Sequence, residues 1–132
     1  MRKKEVQSAS RGRIVLMDSI TLLTGDDAHA IVVSASHGGV SAGEVALEVP
    51  LNAVFFNDAG VGKDDAGIAA LAILQNAGIA AGTVSHTSAR IGDVDDTWRH
   101  GVISHVNQAA RNLGFAPGTL LREALLQAPH AT

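Results

Sequence analysis

The chain has 132 residues, a net charge of −3, no cysteine, and an apolar fraction of 46% with only 3% aromatic residues. This length suits about one domain. The absence of a basic surplus argues against nucleic-acid binding, and the absence of cysteine excludes disulfides and thiolate chemistry.

The first residues are basic and polar. Glu5 and Gln7 stand where a signal peptide would need apolar residues. We therefore interpret residues 1–12 as a flexible basic arm and residues 13–132 as a single α/β domain. No apolar stretch approaches the roughly 20 residues that span a bilayer, so the sequence predicts a cytoplasmic protein with no membrane partner.

Four short apolar segments are typical of strands buried on both faces. They are Ile14–Met17, Ala30–Ser34, Ala53–Phe56 and Ile79–Val84. Helical patterns lie between and after them. The predicted helices are Ser19–Leu23, Ser41–Val49, Asp64–Asn76, Thr97–Leu113 and Thr119–Gln127.

Strands that alternate with helices predict a three-layer α/β/α domain with a mostly parallel sheet of about four strands. An α+β domain is the alternative. In that arrangement Arg13–Leu23 forms one long strand or hairpin arm with Ala30–Ser34.

Each predicted strand is followed by polar and glycine residues. These clusters are Asp18–Ser19, Ser36–Gly39, Asn57–Asp65 and Ser85–Arg90. Because the carboxyl ends of parallel strands share one edge of a sheet, the clusters predict a ligand site at that edge.

The loop Asn57–Lys63 is similar to a phosphate-binding P-loop but departs from it twice. Asn57 replaces the first glycine, and Asp64 replaces the hydroxyl residue that would hold magnesium. Asp64 and Asp65 also place negative charge where a phosphate would sit. We instead expect Lys63 to bind a substrate carboxylate. The alternative is that Gly60 and Gly62 merely permit a tight turn while Asp64 caps the helix that follows.

Two histidines follow strands in equivalent positions, and each is preceded by serine. His37 and His86 could supply a general acid and base, with Asp58 as an orienting group or base. Gly38 and Gly39 could offer backbone N–H groups to an oxyanion. The alternative is that either histidine only binds a loop carbonyl.

A substrate-binding set surrounds these predicted catalytic residues. Arg90 has the planar guanidinium that suits bidentate carboxylate recognition. The predicted substrate-binding residues are Gly38, Gly39, Asn57, Lys63, Ser88 and Arg90.

No cofactor is predicted. A divalent metal is a less favoured alternative, because no spaced ligand pair of the H-E-x-x-H kind occurs. Its ligands would come from His37, His86, Asp58 and Asp93.

The C-terminal motif G-T-L-L-R-E-A-L, at residues 118–125, resembles the last helix of small uncharacterised bacterial α/β domains of unknown function. The loops H-G-G and N-D-A-G-V-G-K-D-D resemble the same group of proteins. The resemblance covers about the last fifth of the chain and implies a compact cytoplasmic domain.

These features together predict a small-molecule enzyme that applies acid–base catalysis to a carboxylate-bearing metabolite, as a hydrolase, lyase or isomerase. The alternative is a noncatalytic metabolite-binding or assembly subunit. Two aliphatic surfaces, at residues 66–74 and 120–126, also predict a homo-oligomer.

Overall fold

A mixed sheet of six strands forms the middle layer of the fold, in the order β1-β2-β3-β4-β5-β6. The structure is a computed structural model, and it describes residues 1–127. The strands are β1 (Lys3–Ser8), β2 (Gly12–Met17), β3 (Ile31–His37), β4 (Ala53–Asn57), β5 (Ala80–Val84) and β6 (Ile103–Val106). The α-helices are α1 (Val40–Ala46), α2 (Ala69–Asn76), α3 (Val94–His100), α4 (Gln108–Asn112) and α5 (Leu121–Leu126).

The α/β class is confirmed, but the sheet is larger and more mixed than predicted. β2, β3, β4 and β5 correspond to the four predicted strands, with bounds that differ by a few residues, and pair in parallel. β1 and β6 pair antiparallel at the two edges. The sheet is therefore mixed and six-stranded rather than a mostly parallel sheet of four strands.

The N-terminal segment differs from the expected flexible arm. Lys3–Ser8 forms β1, which turns back into β2 through Gly12 at a φ of 81°. Because β1 is a mostly exposed edge strand with charged residues, it lacks the apolar signal of a buried strand. The alternative hairpin between Arg13–Leu23 and the next strand is also wrong, because β2 and β3 are parallel.

The long helix predicted at Thr97–Leu113 is divided into α3, β6 and α4. α3 stops at Gly101, where an added Cβ would lie 2.5 Å from the Thr97 carbonyl oxygen. The Asn107 side chain then accepts a hydrogen bond from the Ala110 N–H and starts α4. The strand between these two helices brings new side chains to the edge of β5.

Hydrophobic cores lie on both faces of the sheet because neighbouring strand residues point to opposite sides. Val15 and Met17 pack in a cluster with residues of α1 and α2, whereas Ile14 and Leu16 pack with residues of α3, α4 and α5. α1 approaches α2 closely, since a Cβ added to Gly43 would lie 3.1 Å from the Ala70 Cα. The three-layer arrangement follows from these two cores.

Candidate functional site

The carboxyl ends of β2, β3, β4 and β5 lie along one edge of the sheet, because these strands are parallel. His37 at the end of β3 is in register with Asn57 at the end of β4, and Asn57 is in register with Val84 at the end of β5. The loops that follow β4 and β5 are thus neighbours. Asp58 begins the first loop, and His86 lies near the start of the second.

Asp58 is the centre of a cluster of polar groups at this edge. Its side chain is buried, and its Oδ1 atom accepts hydrogen bonds from the Gly60 N–H at 2.8 Å and the His86 N–H at 3.1 Å. The His86 ring turns back to the same carboxylate, with Nδ1 at 3.4 Å from Oδ1. That ring is about half exposed, so one side faces the carboxylate while the remainder is open to solvent.

A second histidine approaches Asp58 from β6. The Nδ1 atom of His105 lies 3.9 Å from Asp58 Oδ2. The register shifts between Thr83 and Val84, so that Ser104 is an extra residue in β6. Such a bulge redirects side chains. Here the Ser104 and Thr83 hydroxyl oxygens are 2.9 Å apart, and His105 Nδ1 is 3.2 Å from the Ser104 hydroxyl.

The electrostatics of this cluster favour an ionised carboxylate. Burial alone would raise the pKa of Asp58, but hydrogen bonds from the Gly60 and His86 N–H groups, together with the nearby Ser104 hydroxyl and His86 ring, lower it below its ordinary value. Asp58 therefore stays negative at neutral pH. It is better suited to orient an imidazole than to act as a general base itself.

The loop after β4 has an unusual backbone. Six of its residues have positive φ angles between 52° and 76°. They are Ala59, Gly60, Val61, Gly62, Asp64 and Asp65. For a β-branched residue such as Val61 this conformation is a rare outlier. Asp64 and Asp65 therefore do not open a regular helix, as the sequence predicted, but lie in a kinked 3₁₀ segment at Lys63–Ile68.

Close packing holds this loop in place. The Gly67 N–H donates to the Val61 carbonyl oxygen at 2.7 Å, and the Val61 N–H donates to the Asp58 carbonyl oxygen at the same distance. The His86 ring lies against Gly60, where an added Cβ would be 3.4 Å from Cε1. The loop thus fixes both the Asp58 backbone and the space beside His86.

Lys63 and Arg90 lie on the two loops but do not touch the Asp58 cluster through polar contacts. Both side chains are exposed, and within residues 1–127 neither forms a hydrogen bond or an ion pair. The Arg90 backbone N–H donates to Asp96 at 2.8 Å. Their expected role in binding a carboxylate remains a prediction.

His37 is placed differently from His86. It is exposed, and its ring folds over Gly39, where an added Cβ would lie 3.0 Å from the imidazole. It lines a cavity with Asp18 and Ser36, whereas His86 does not. No hydrogen bond or ion pair in the described part of the chain joins His37 to the Asp58 cluster.

Three predicted binding residues instead hold the loops together. The Gly38 N–H donates to the Asn57 carbonyl oxygen at 2.9 Å, so it is already engaged and does not serve as a free oxyanion donor. The Asn57 amide donates to Ala89 at 2.9 Å. The Ser88 hydroxyl accepts the Val102 N–H at 2.9 Å. Gly39 is the residue that precedes α1.

Among residues 1–127 no three acidic or histidine side chains are grouped so that they could hold a metal ion. No helix in the same range has the length and apolar character needed to cross a membrane. No family model, curated protein or solved structure matches the chain.

Proposed function

We propose that this protein is a small-molecule enzyme that uses acid–base catalysis on a carboxylate-bearing metabolite, as a hydrolase, lyase or isomerase. One observation carries the proposal: the buried Asp58 carboxylate lies 3.4 Å from Nδ1 of a His86 ring that is open to solvent. Imidazole is the side chain most often used for proton transfer near neutral pH.

Asp58 and His86 have separate roles in the proposed mechanism. The carboxylate favours a proton on Nδ1 of His86, which leaves Nε2 free to accept a proton from a substrate. Negative charge on Asp58 then stabilises the imidazolium that forms. The lowered pKa of Asp58 supports this division, because an ionised aspartate holds the positive ring without taking its proton.

His105 supplies a second imidazole to the same carboxylate, at 3.9 Å from Oδ2. Substrate proton transfer needs both an acid and a base when one proton is removed and another is delivered. His105 takes the role that the sequence gave to His37, because it shares Asp58 with His86. The bulge at Ser104 is what turns it toward the site.

Recognition of a carboxylate is assigned to Lys63 and Arg90. These exposed cations lie on the loops that follow β4 and β5, the two strands whose ends carry Asp58 and His86. A guanidinium can bind a carboxylate through two parallel hydrogen bonds. The substrate would thereby be held with its reacting carbon beside the imidazole.

The test is a screen of small carboxylic acids for turnover by proton NMR, followed by substitution. His86→Ala should lower turnover about a hundredfold or more, and Asp58→Asn should lower it because the imidazolium loses its negative partner. His100→Ala is the matched control, since His100 forms an exposed pair with Asp96 at 2.9 Å on α3 and should leave turnover unchanged.

Full turnover by His86→Ala would refute the catalytic role of the pair. Saturable binding of a carboxylate without any chemical change would instead favour the noncatalytic metabolite-binding alternative. Arg90→Ala separates the two parts of the proposal, because it should raise the substrate concentration needed for half-maximal rate more than it lowers the maximal rate.

A further inference from the structure

A cavity of about 400 Å³ lies at the carboxyl ends of β2 and β3, away from Asp58 and His86. Its floor is apolar and is formed by Ile20, Ala42 and Val45, while Ile91 borders it from the loop after β5. Its volume falls within the range of about 300–1,000 Å³ that is typical of small-molecule sites. The size and the apolar floor suit a compact organic ligand.

Most polar groups at the rim of this cavity are already engaged. Ser36 Oγ accepts the Ile20 N–H at 2.8 Å. The buried Asp18 carboxylate accepts the N–H groups of Arg2 at 2.6 Å and Val94 at 2.9 Å. These hydrogen bonds fix the positions of the residues that line the cavity.

Two polar side chains at the rim remain available. Within residues 1–127, neither the His37 ring nor the Ser41 hydroxyl forms a hydrogen bond, and both line the cavity. An imidazole and a hydroxyl can each donate or accept a hydrogen bond. They can therefore bind one oxygen atom of a ligand whose body rests on the apolar floor.

We propose that this cavity is a binding site for a small uncharged molecule with an apolar body and one hydroxyl or carbonyl oxygen. The Asp18 carboxylate in the cavity lining is paired with the Arg2 guanidinium at 3.4 Å, so its charge is not left to neutralise an ionic ligand. Burial of an unpaired ion against Ile20, Ala42 and Val45 would be unfavourable. His37 and Ser41 bind the oxygen.

This site does not depend on the proposed acid–base function. Neither Asp58 nor His86 lines the cavity, and His37 faces different neighbours from His86. The loop after β5 connects the two places, since it carries His86 at one end and Ile91 and Gly92 at the other. A failure of one proposal would leave the other intact.

The test uses benzyl alcohol, benzoate and benzylamine, which have similar bodies and differ in charge. Each is titrated into the ¹⁵N-labelled protein near neutral pH, and amide resonances are followed by NMR. Benzyl alcohol should saturate with a Kd on the order of 1 mM, with the largest shifts at Ile20, Val45 and Ile91. Both charged analogues should bind at least about fivefold more weakly.

A pair of substitutions on α1 locates the binding. Val45→Phe fills the cavity and should weaken benzyl alcohol about tenfold, whereas Val40→Phe enlarges an exposed residue outside the lining and should not. His37→Ala should weaken benzyl alcohol by removing a hydrogen-bond partner. If Val45→Phe fails to fold, Ser41→Phe narrows the same cavity from an exposed position.

Three results would overturn the proposal. The first is the absence of saturable shifts up to tens of millimolar benzyl alcohol. The second is equal binding by wild type and by the folded cavity-filling variant. The third is tighter binding of benzoate or benzylamine than of benzyl alcohol, which would assign the cavity to a charged ligand.

Discussion

Gly67→Ala should be among the most damaging single-methyl additions to this protein. A Cβ at Gly67 would lie 1.8 Å from the Asp58 carbonyl oxygen, 2.9 Å from the Asp58 carbonyl carbon and 3.1 Å from the Val61 Cα. All three atoms belong to the backbone, so rotation of a side chain cannot relieve the overlap. The loop that carries Asp58 must move by roughly 1 Å, a displacement that would impair the proposed catalysis about a hundredfold.

The structure allows the size of this effect to be compared at three glycines. Overpacking against the backbone at Gly67 should lower the free energy of unfolding by about 3 kcal/mol. At Gly62 nothing lies within 4 Å, but the φ of 73° is unfavourable for alanine, so the cost should be about 1 kcal/mol. Gly25 has open space and no positive φ. Gly25→Ala should therefore be neutral or stabilise by about 0.5 kcal/mol.

Urea unfolding followed by circular dichroism measures all three variants under one set of conditions. The expected order of destabilisation is Gly67→Ala, then Gly62→Ala, then Gly25→Ala. The reasoning would be refuted if Gly67→Ala unfolded at the same urea concentration as wild type, or if it cost no more than Gly62→Ala. The first result would mean that the loop adapts without strain.

Two further predictions concern the fold. Burial alone would raise the pKa of Asp18, but hydrogen bonds from Arg2 and Val94 lower it below its ordinary value. Ionised Asp18 therefore stabilises the folded protein fully above the ordinary aspartate pKa of about 3.9. This stabilisation is lost as the pH falls through the lower pKa of the folded state. Asp18→Asn should therefore lower the free energy of unfolding by about 1–3 kcal/mol at neutral pH, and this difference from wild type should shrink in acid. Asp26→Asn, at an exposed aspartate, is the control. A difference between Asp18→Asn and wild type that stays constant across pH would contradict the argument. We also expect a homo-oligomer, because Leu113, Leu120 and Leu126 expose apolar surface. Light scattering measures the mass of the particle in solution, and a mass equal to a single 13.5 kDa chain would contradict this expectation.

The four inner strands were predictable because burial on both faces demands continuous apolar residues, as in Ala53–Phe56. The edge strands were not. β1 is an edge strand whose charged residues are mostly exposed, so it has no run of apolar residues. The apolar residues of β6 have a spacing that also fits a helix. For β6 the local sequence did not distinguish a helix from a strand. Its pairing with β5 is what makes this segment a strand.

The same limit applied to the candidate site. Asp58 and His86 were predicted because each closely follows an inner strand, but His105 was missed because it lay in a segment interpreted as helix. His37 shares with His86 a preceding serine and a position close to the end of an inner strand. Only the tertiary structure separates them, since the approach to a buried carboxylate depends on how the loops fold.

The sequential strand order has a consequence for the order in which the molecule can form. Each strand pairs with the one before it in the chain, so the sheet can grow by short-range steps. The hydrophobic core between the sheet and helices α1 and α2 is built almost entirely from residues up to β5. The core on the other face, which contains Ile14 and Leu16, cannot be completed until Leu121 and Leu125 of α5 are in place. α5 then joins the first hairpin, with Ser8 donating to the Leu125 carbonyl oxygen at 3.0 Å. We therefore expect a folding intermediate in which the core under α1 and α2 is packed while the opposite face of the sheet is still exposed to solvent. Docking of α5 then covers that face.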